Sequence, residues 1–113
     1  MNRLSQEREN IIYQYITERL NGAKEKLIDY FTDDGQILDQ EKKLYKGKQQ
    51  LIEYYFTTKA PPIMPTVSKI NKHDDGSQYV DLTISVFGYV AKKTSVYFFF
   101  EDNSVKFTKI VIV

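Results

Sequence analysis

The run Ala60-Pro61-Pro62-Ile63-Met64-Pro65 divides the chain into two parts that follow different periodicities. Each proline fixes φ, removes a backbone donor and pushes the residue before it toward extended geometry, so no helix can pass through and an extended linker is expected. Before this run, apolar residues recur at helical spacing; after it, they alternate or run continuously as in strands. Helices segregated ahead of strands indicate an α+β domain rather than alternating βαβ units.

In the first part, Ser5 is the expected N-cap of a helix whose inward face carries Ile11, Ile12, Tyr15, Ile16 and Leu20. Asn21-Gly22 ends it. A second short helix turns Ala23, Leu27, Ile28 and Phe31 inward, Asp33-Asp34-Gly35 reads as a turn, and Gln36 to Gln40 reads as a first strand. A third helix starts near Lys48 and buries Leu51, Ile52, Tyr55 and Phe56. Beyond the prolines, Thr66 to Lys72 and Gln78 to Val90 read as paired strands joined by His73-Asp74-Asp75-Gly76-Ser77. Val96 to Phe100 and Ile110 to Val113 are apolar on both faces. Three helices can cover only one face of a sheet, so the other face calls for a second protein surface. The expected interface residues are Tyr97, Phe99, Val111 and Val113, with Phe87 and Tyr89 at the rim, in a homodimer or a heterodimer.

The 113 residues suffice for one packed core, so residues 1–113 are expected to form a single domain. Sixteen basic and fifteen acidic side chains leave a net charge of +1, which argues against a phosphate-driven nucleic-acid binder. The absence of cysteine excludes disulfides, thiolate metal sites and a cysteine nucleophile, and the single histidine, His73, makes a histidine-based centre improbable. No cofactor or metal is expected. The beginning of the chain has no apolar signal region and no run is long enough to cross a bilayer, so no membrane partner and an intracellular, cytoplasmic or nuclear location are expected. Lys42, Lys43, Lys46 and Lys48 read as a solvated basic hairpin.

Tyr30-Phe31-Thr32-Asp33-Asp34-Gly35-Gln36-Ile37-Leu38-Asp39-Gln40 is followed by Tyr45-Lys46-Gly47-Lys48-Gln49-Gln50-Leu51-Ile52-Glu53-Tyr54-Tyr55. An aromatic helix end with two acids, an apolar strand, a basic hairpin with a glycine, and a new amphipathic helix, in that order, resemble the nuclear transport factor 2-like superfamily. The resemblance implies a cystatin-like cone: three N-terminal helices packed in the concave face of a strongly curved mixed or antiparallel sheet. The superfamily includes SnoaL-like and ketosteroid isomerase-like enzymes with a pocket in the cone, and non-catalytic transport adaptors that use its outside.

Two readings of function follow from this resemblance. From Asp34 to Leu51 the spacing is similar to that of nuclear transport factor 2 and its mRNA-export relatives, with Gly47-Lys48 on their Gly-Lys. Val86-Phe87-Gly88-Tyr89-Val90 likewise resembles one of their strand ends. This implies a non-catalytic dimerising adaptor for protein transport, although Val90-Ala91-Lys92-Lys93 is basic where the carrier is acidic. The alternative is an isomerase- or cyclase-type enzyme. Its similarity to ketosteroid isomerases puts Asp39 in the place of the general base and Tyr15 in that of the carbonyl-polarising phenol, with Val96 where a second acid would stand. The pocket for a small apolar ligand would then be lined by Ile12, Ile16, Phe31, Tyr55, Val96 and Phe98.

Overall fold

The computed structural model describes residues 3–59 and 64–113. Residues 60–63, and with them most of the expected proline linker, lie outside the described residues. The elements in chain order are α1 (Arg3–Leu20), α2 (Glu25–Ile28), β1 (Phe31–Leu38), β2 (Leu44–Lys46), α3 (Gly47–Thr57), β3 (Thr66–Val67), β4 (Asn71–Lys72), β5 (Gln78–Val86), β6 (Tyr89–Phe100) and β7 (Phe107–Ile112). All three helices lie in the first half of the chain, with β1 and β2 between α2 and α3, and β3 to β7 follow, the α+β plan expected.

Helix α1 already includes Arg3, so Ser5 lies inside it rather than capping it. Pairs one turn apart, Arg3 Nε to Glu7 Oε1 at 3.0 Å and Gln6 Nε2 to Asn10 Oδ1 at 3.2 Å, support this extra turn. The helix ends as expected: Gly22 takes φ 87°, and the amides of Gly22 and Ala23 donate back to the carbonyls of Arg19 and Glu18. Helix α3 buries Leu51, Tyr54 and Tyr55, at i, i+3 and i+4. Ile52 and Phe56, expected inside, are 41% and 50% exposed because they lie off that face.

The sheet order is β2-β1-β7-β6-β5-β3, with β4 also on β5. The pairing of β1 with β7 is parallel and the others are antiparallel, so the sheet is mixed. Several boundaries differ from those read in the sequence. The first strand begins at Phe31, because Asp33-Asp34-Gly35 forms a bulge rather than a turn: Phe31 pairs with Phe107 and Gln36 already with Lys109. The strand read as Thr66 to Lys72 is two short pieces, separated where the Ser68 hydroxyl accepts the Asp81 amide at 2.9 Å. The strand read as Gln78 to Val90 stops at Val86, since Phe87 and Gly88 take φ 51° and 81° and reverse the chain. The following strand therefore starts at Tyr89 rather than Val96, and the last one at Phe107 rather than Ile110.

The core lies between the helices and one face of the sheet. Ile12, Tyr15, Ile16, Leu27 and Leu51 from the helices meet Ile37, Val80, Val96, Phe98, Phe107 and Ile110 from the strands. Phe98 and Phe107 are fully buried, 5.1 Å apart between ring centres. Each such side chain contributes roughly 1.5–3 kcal/mol by leaving water.

Candidate functional site

Two features of this fold are candidates: a cavity inside the cone and the outer face of the sheet. The cavity has a volume of about 130 Å³. Helix α1 supplies Tyr15, Ile16, Arg19 and Leu20; α3 supplies Tyr54; the inner face of the sheet supplies Leu82, Thr94, Val96, Phe98, Ile110 and Ile112. Among the described residues the lining is mainly aliphatic and aromatic, with the Thr94 hydroxyl, one cation and no carboxylate. Of the expected pocket residues, Ile16, Val96 and Phe98 line it, while Ile12, Phe31 and Tyr55 are packed in the core and do not.

The two residues of the expected catalytic pair, Tyr15 and Asp39, lie in different surroundings. The Tyr15 and Tyr55 hydroxyls share a hydrogen bond at 2.6 Å, in the core. Burial drives both phenols well above the ordinary tyrosine pKa, so both stay neutral across the physiological range. Asp39 follows β1 and does not line the cavity. Its Oδ1 accepts the backbone amides of Glu41 and Lys43, each at 2.9 Å, and so braces the turn into β2. The structure therefore does not bring a carboxylate and Tyr15 together on the cavity wall.

Arg19 was not singled out in the sequence, although it stands four residues after Tyr15 on the same inward helix face. Its Nη2 donates to Thr58 Oγ1 at 2.8 Å, and its guanidinium carbon lies 5.2 Å from the Tyr55 ring centre. This ties the end of α1 to the end of α3. Burial also raises the Tyr54 phenol pKa, and the charge of Arg19 opposes that shift.

The other feature is on the far side of the sheet. Val80, Val96, Phe98, Ile110 and Ile37 face the helices, so their neighbours in sequence face away. The strand register then lines up Tyr79, Tyr97, Val111, Leu38 and Leu44 in one row across β5, β6, β7, β1 and β2. Tyr79 and Tyr97 stack with ring centres 4.9 Å apart, and His73 sets its ring edge-on to Tyr97 at 5.5 Å. Phe99 and Val113 flank the row: Phe99 pairs with Lys109, and Val113 exchanges backbone hydrogen bonds with Ser95. None of these side chains belongs to the buried core. Phe87 and Tyr89, expected at the rim, stand at the tip of the β5–β6 hairpin and are 96% and 79% exposed. Leu38, Leu44 and Tyr79 were missed in the sequence because they join the row only through strand register.

No helix of the described residues is long and apolar enough to cross a membrane. No group of three or more metal-ligating side chains occurs among them. No protein-family model matches the chain. No curated protein matches it either. Solved structures do. The chain is similar to an NTF-2-like protein of unknown function from Burkholderia xenovorans LB400, with a TM-score of 0.76 at 15% identity, covering 99% of this chain and 85% of that one. It is similar to an uncharacterised cystatin-fold protein from Novosphingobium aromaticivorans, with a TM-score of 0.70 at 10% identity over 94% and 97% of the two chains. It is also similar to SalBIII, an epoxide hydrolase/cyclase-like enzyme with a role in pyran ring formation in the polyether salinomycin, with a TM-score of 0.64 at 14% identity over 96% and 90%.

Proposed function

We propose that this chain, which has the nuclear transport factor 2-like fold, is a non-catalytic binding module that pairs with a second copy of itself through the outer face of its sheet. The observation that supports this is the row Tyr79, Tyr97, Val111, Leu38 and Leu44, apolar across five strands and outside the core. A row of this kind is self-complementary when a two-fold axis sets one copy against another, and removing it from water favours association. At a strand spacing of about 4.8 Å the row runs roughly 19 Å, a length suited to the centre of a standard interface. The basic Lys92-Lys93 segment gives no reason to add a partner that needs an acidic patch.

The test is sedimentation equilibrium of the wild-type protein and of Val111→Lys. A dimer at tens of micromolar that becomes a monomer on substitution, with an unchanged far-UV spectrum, is the expected outcome. A wild-type protein that stays monomeric at several hundred micromolar refutes the proposal.

A second reading is that the cone takes a small ligand, and the cavity beside Tyr15, Tyr54 and Arg19 is what favours it. Proton transfer by Asp39 is not part of this reading, because Asp39 does not line the cavity and its Oδ1 braces the turn into β2.

A further inference from the structure

The cavity adjoins a second concavity. Leu82 and Thr94 line both, and the neighbouring groove of about 400 Å³ is completed by Gln40, Lys59, Pro65, Ile84 and Lys92. In the strand register Leu82 pairs with Thr94 and Ile84 with Lys92, so one stretch of sheet runs from the cavity into the groove. Pro65, Leu82 and Ile84 give the groove apolar walls, and Lys59 and Lys92 put two cations on it. With Arg19 in the cavity the described residues give the composite site three cations, and no Asp or Glu among them lines either part. The adjacent carboxylate, Asp39, is felt at the Tyr54 phenol but already accepts two backbone amides. One anion against three cations leaves the composite site net positive.

We infer that this composite site binds an amphipathic monocarboxylate, with an apolar group about the size of a benzene ring in the cavity and the carboxylate in the groove facing Lys59 and Lys92. The inference rests on the second reading, that the cone takes a small ligand, and names its class. Size argues for the apolar part: a dry protein cavity of about 150 Å³ holds benzene, and this one is about 130 Å³. Charge argues for the anionic part, because a carboxylate beside Lys59 and Lys92 gains a solvent-screened attraction that a neutral ligand lacks. The helix ends at the site, Leu20 of α1 and the Thr58-Lys59 exit of α3, are C-termini, whose partial negative charge opposes any anion and opposes a dianion more strongly than a monoanion, so a monocarboxylate is favoured over a phosphate.

The experiment is a ¹H–¹⁵N chemical-shift titration of the whole chain with sodium 4-phenylbutyrate and, separately, with neutral 4-phenylbutyramide. The acid is expected to move the amides of Leu82, Thr94, Val96 and Ile112 saturably and to bind roughly three- to tenfold more tightly than the amide. The double substitution Lys59→Ala and Lys92→Ala, at two exposed positions, is expected to remove that preference and leave amide binding unchanged. Equal affinity for acid and amide at these residues overturns the inference while leaving the ligand reading in place. Absence of shifts there with either compound, or shifts confined to the Tyr97 face, overturns both.

Discussion

Tyr15 and Tyr55 share one short hydrogen bond in the core, and this sets how the protein responds to alkali. Burial is the main cause that raises both phenols, and for Tyr55 the neighbouring Tyr15 adds to it. In the unfolded chain a tyrosine loses its proton near pH 10, whereas in the folded chain these two hold theirs beyond it. Their contribution to stability is therefore fully present below about pH 10 and is lost as pH rises above it. The urea midpoint is expected to stay level from pH 7 to about 9.5 and then fall, and to fall less steeply in Tyr15→Phe. A wild-type midpoint unchanged between pH 9 and 11 contradicts this. At Gly35 the constraint is steric: an added Cβ would stand 2.6 Å from the Phe31 Cβ, so Gly35→Ala is expected to cost about 1–3 kcal/mol in chemical unfolding. The positions of Tyr15 and Ile16 were legible in the sequence because helical periodicity turns them inward, whereas Val96 and Phe98 lie in a run apolar on both faces and were legible only through the family resemblance. The task of Asp39 was not, because it depends on two backbone amides delivered by a turn in which Lys42 takes φ 64°.

At the scale of elements, the β5–β6 hairpin shows how a turn can hide in a sequence. Val86-Phe87-Gly88-Tyr89-Val90 reads as one apolar strand because phenylalanine is not a turn residue, yet Phe87 and Gly88 both adopt left-handed backbone geometry. A two-residue turn of this hand favours Asn-Gly, and a bulky side chain at its first position costs on the order of 1 kcal/mol. Phe87→Asn is accordingly expected to raise the unfolding free energy by about 1 kcal/mol, since Phe87 has almost no packing to lose at 96% exposure. Thermal unfolding at matched concentration checks it, and a lower Tm would show that Phe87 makes stabilising contacts. The α3 face was only partly legible. The sequence offered Ile52 and Phe56 as buried residues, and geometry selected Tyr54, which packs edge-on to Tyr45 at 5.0 Å between ring centres.

For the whole molecule, the proposed pairing links stability to concentration. If dimerisation buries the outer row, the wild-type Tm is expected to rise by several degrees between 1 and 100 μM, and that of Val111→Lys to stay constant. A wild-type Tm independent of concentration would count against pairing. The row itself could be read only in fragments from the sequence, because its members come from five strands and meet through register; Tyr97 and Val111 were visible, Leu38 and Leu44 were not. The place of β7 has a consequence of its own. It comes later in the chain than every other described strand, yet it lies in the middle of the sheet, parallel to β1 on one side and antiparallel to β6 on the other. During synthesis the β1–β2 and β5–β6 ribbons must therefore wait with open edges, and the nascent chain can close its sheet only when Phe107–Ile112 has emerged to stitch the two halves together.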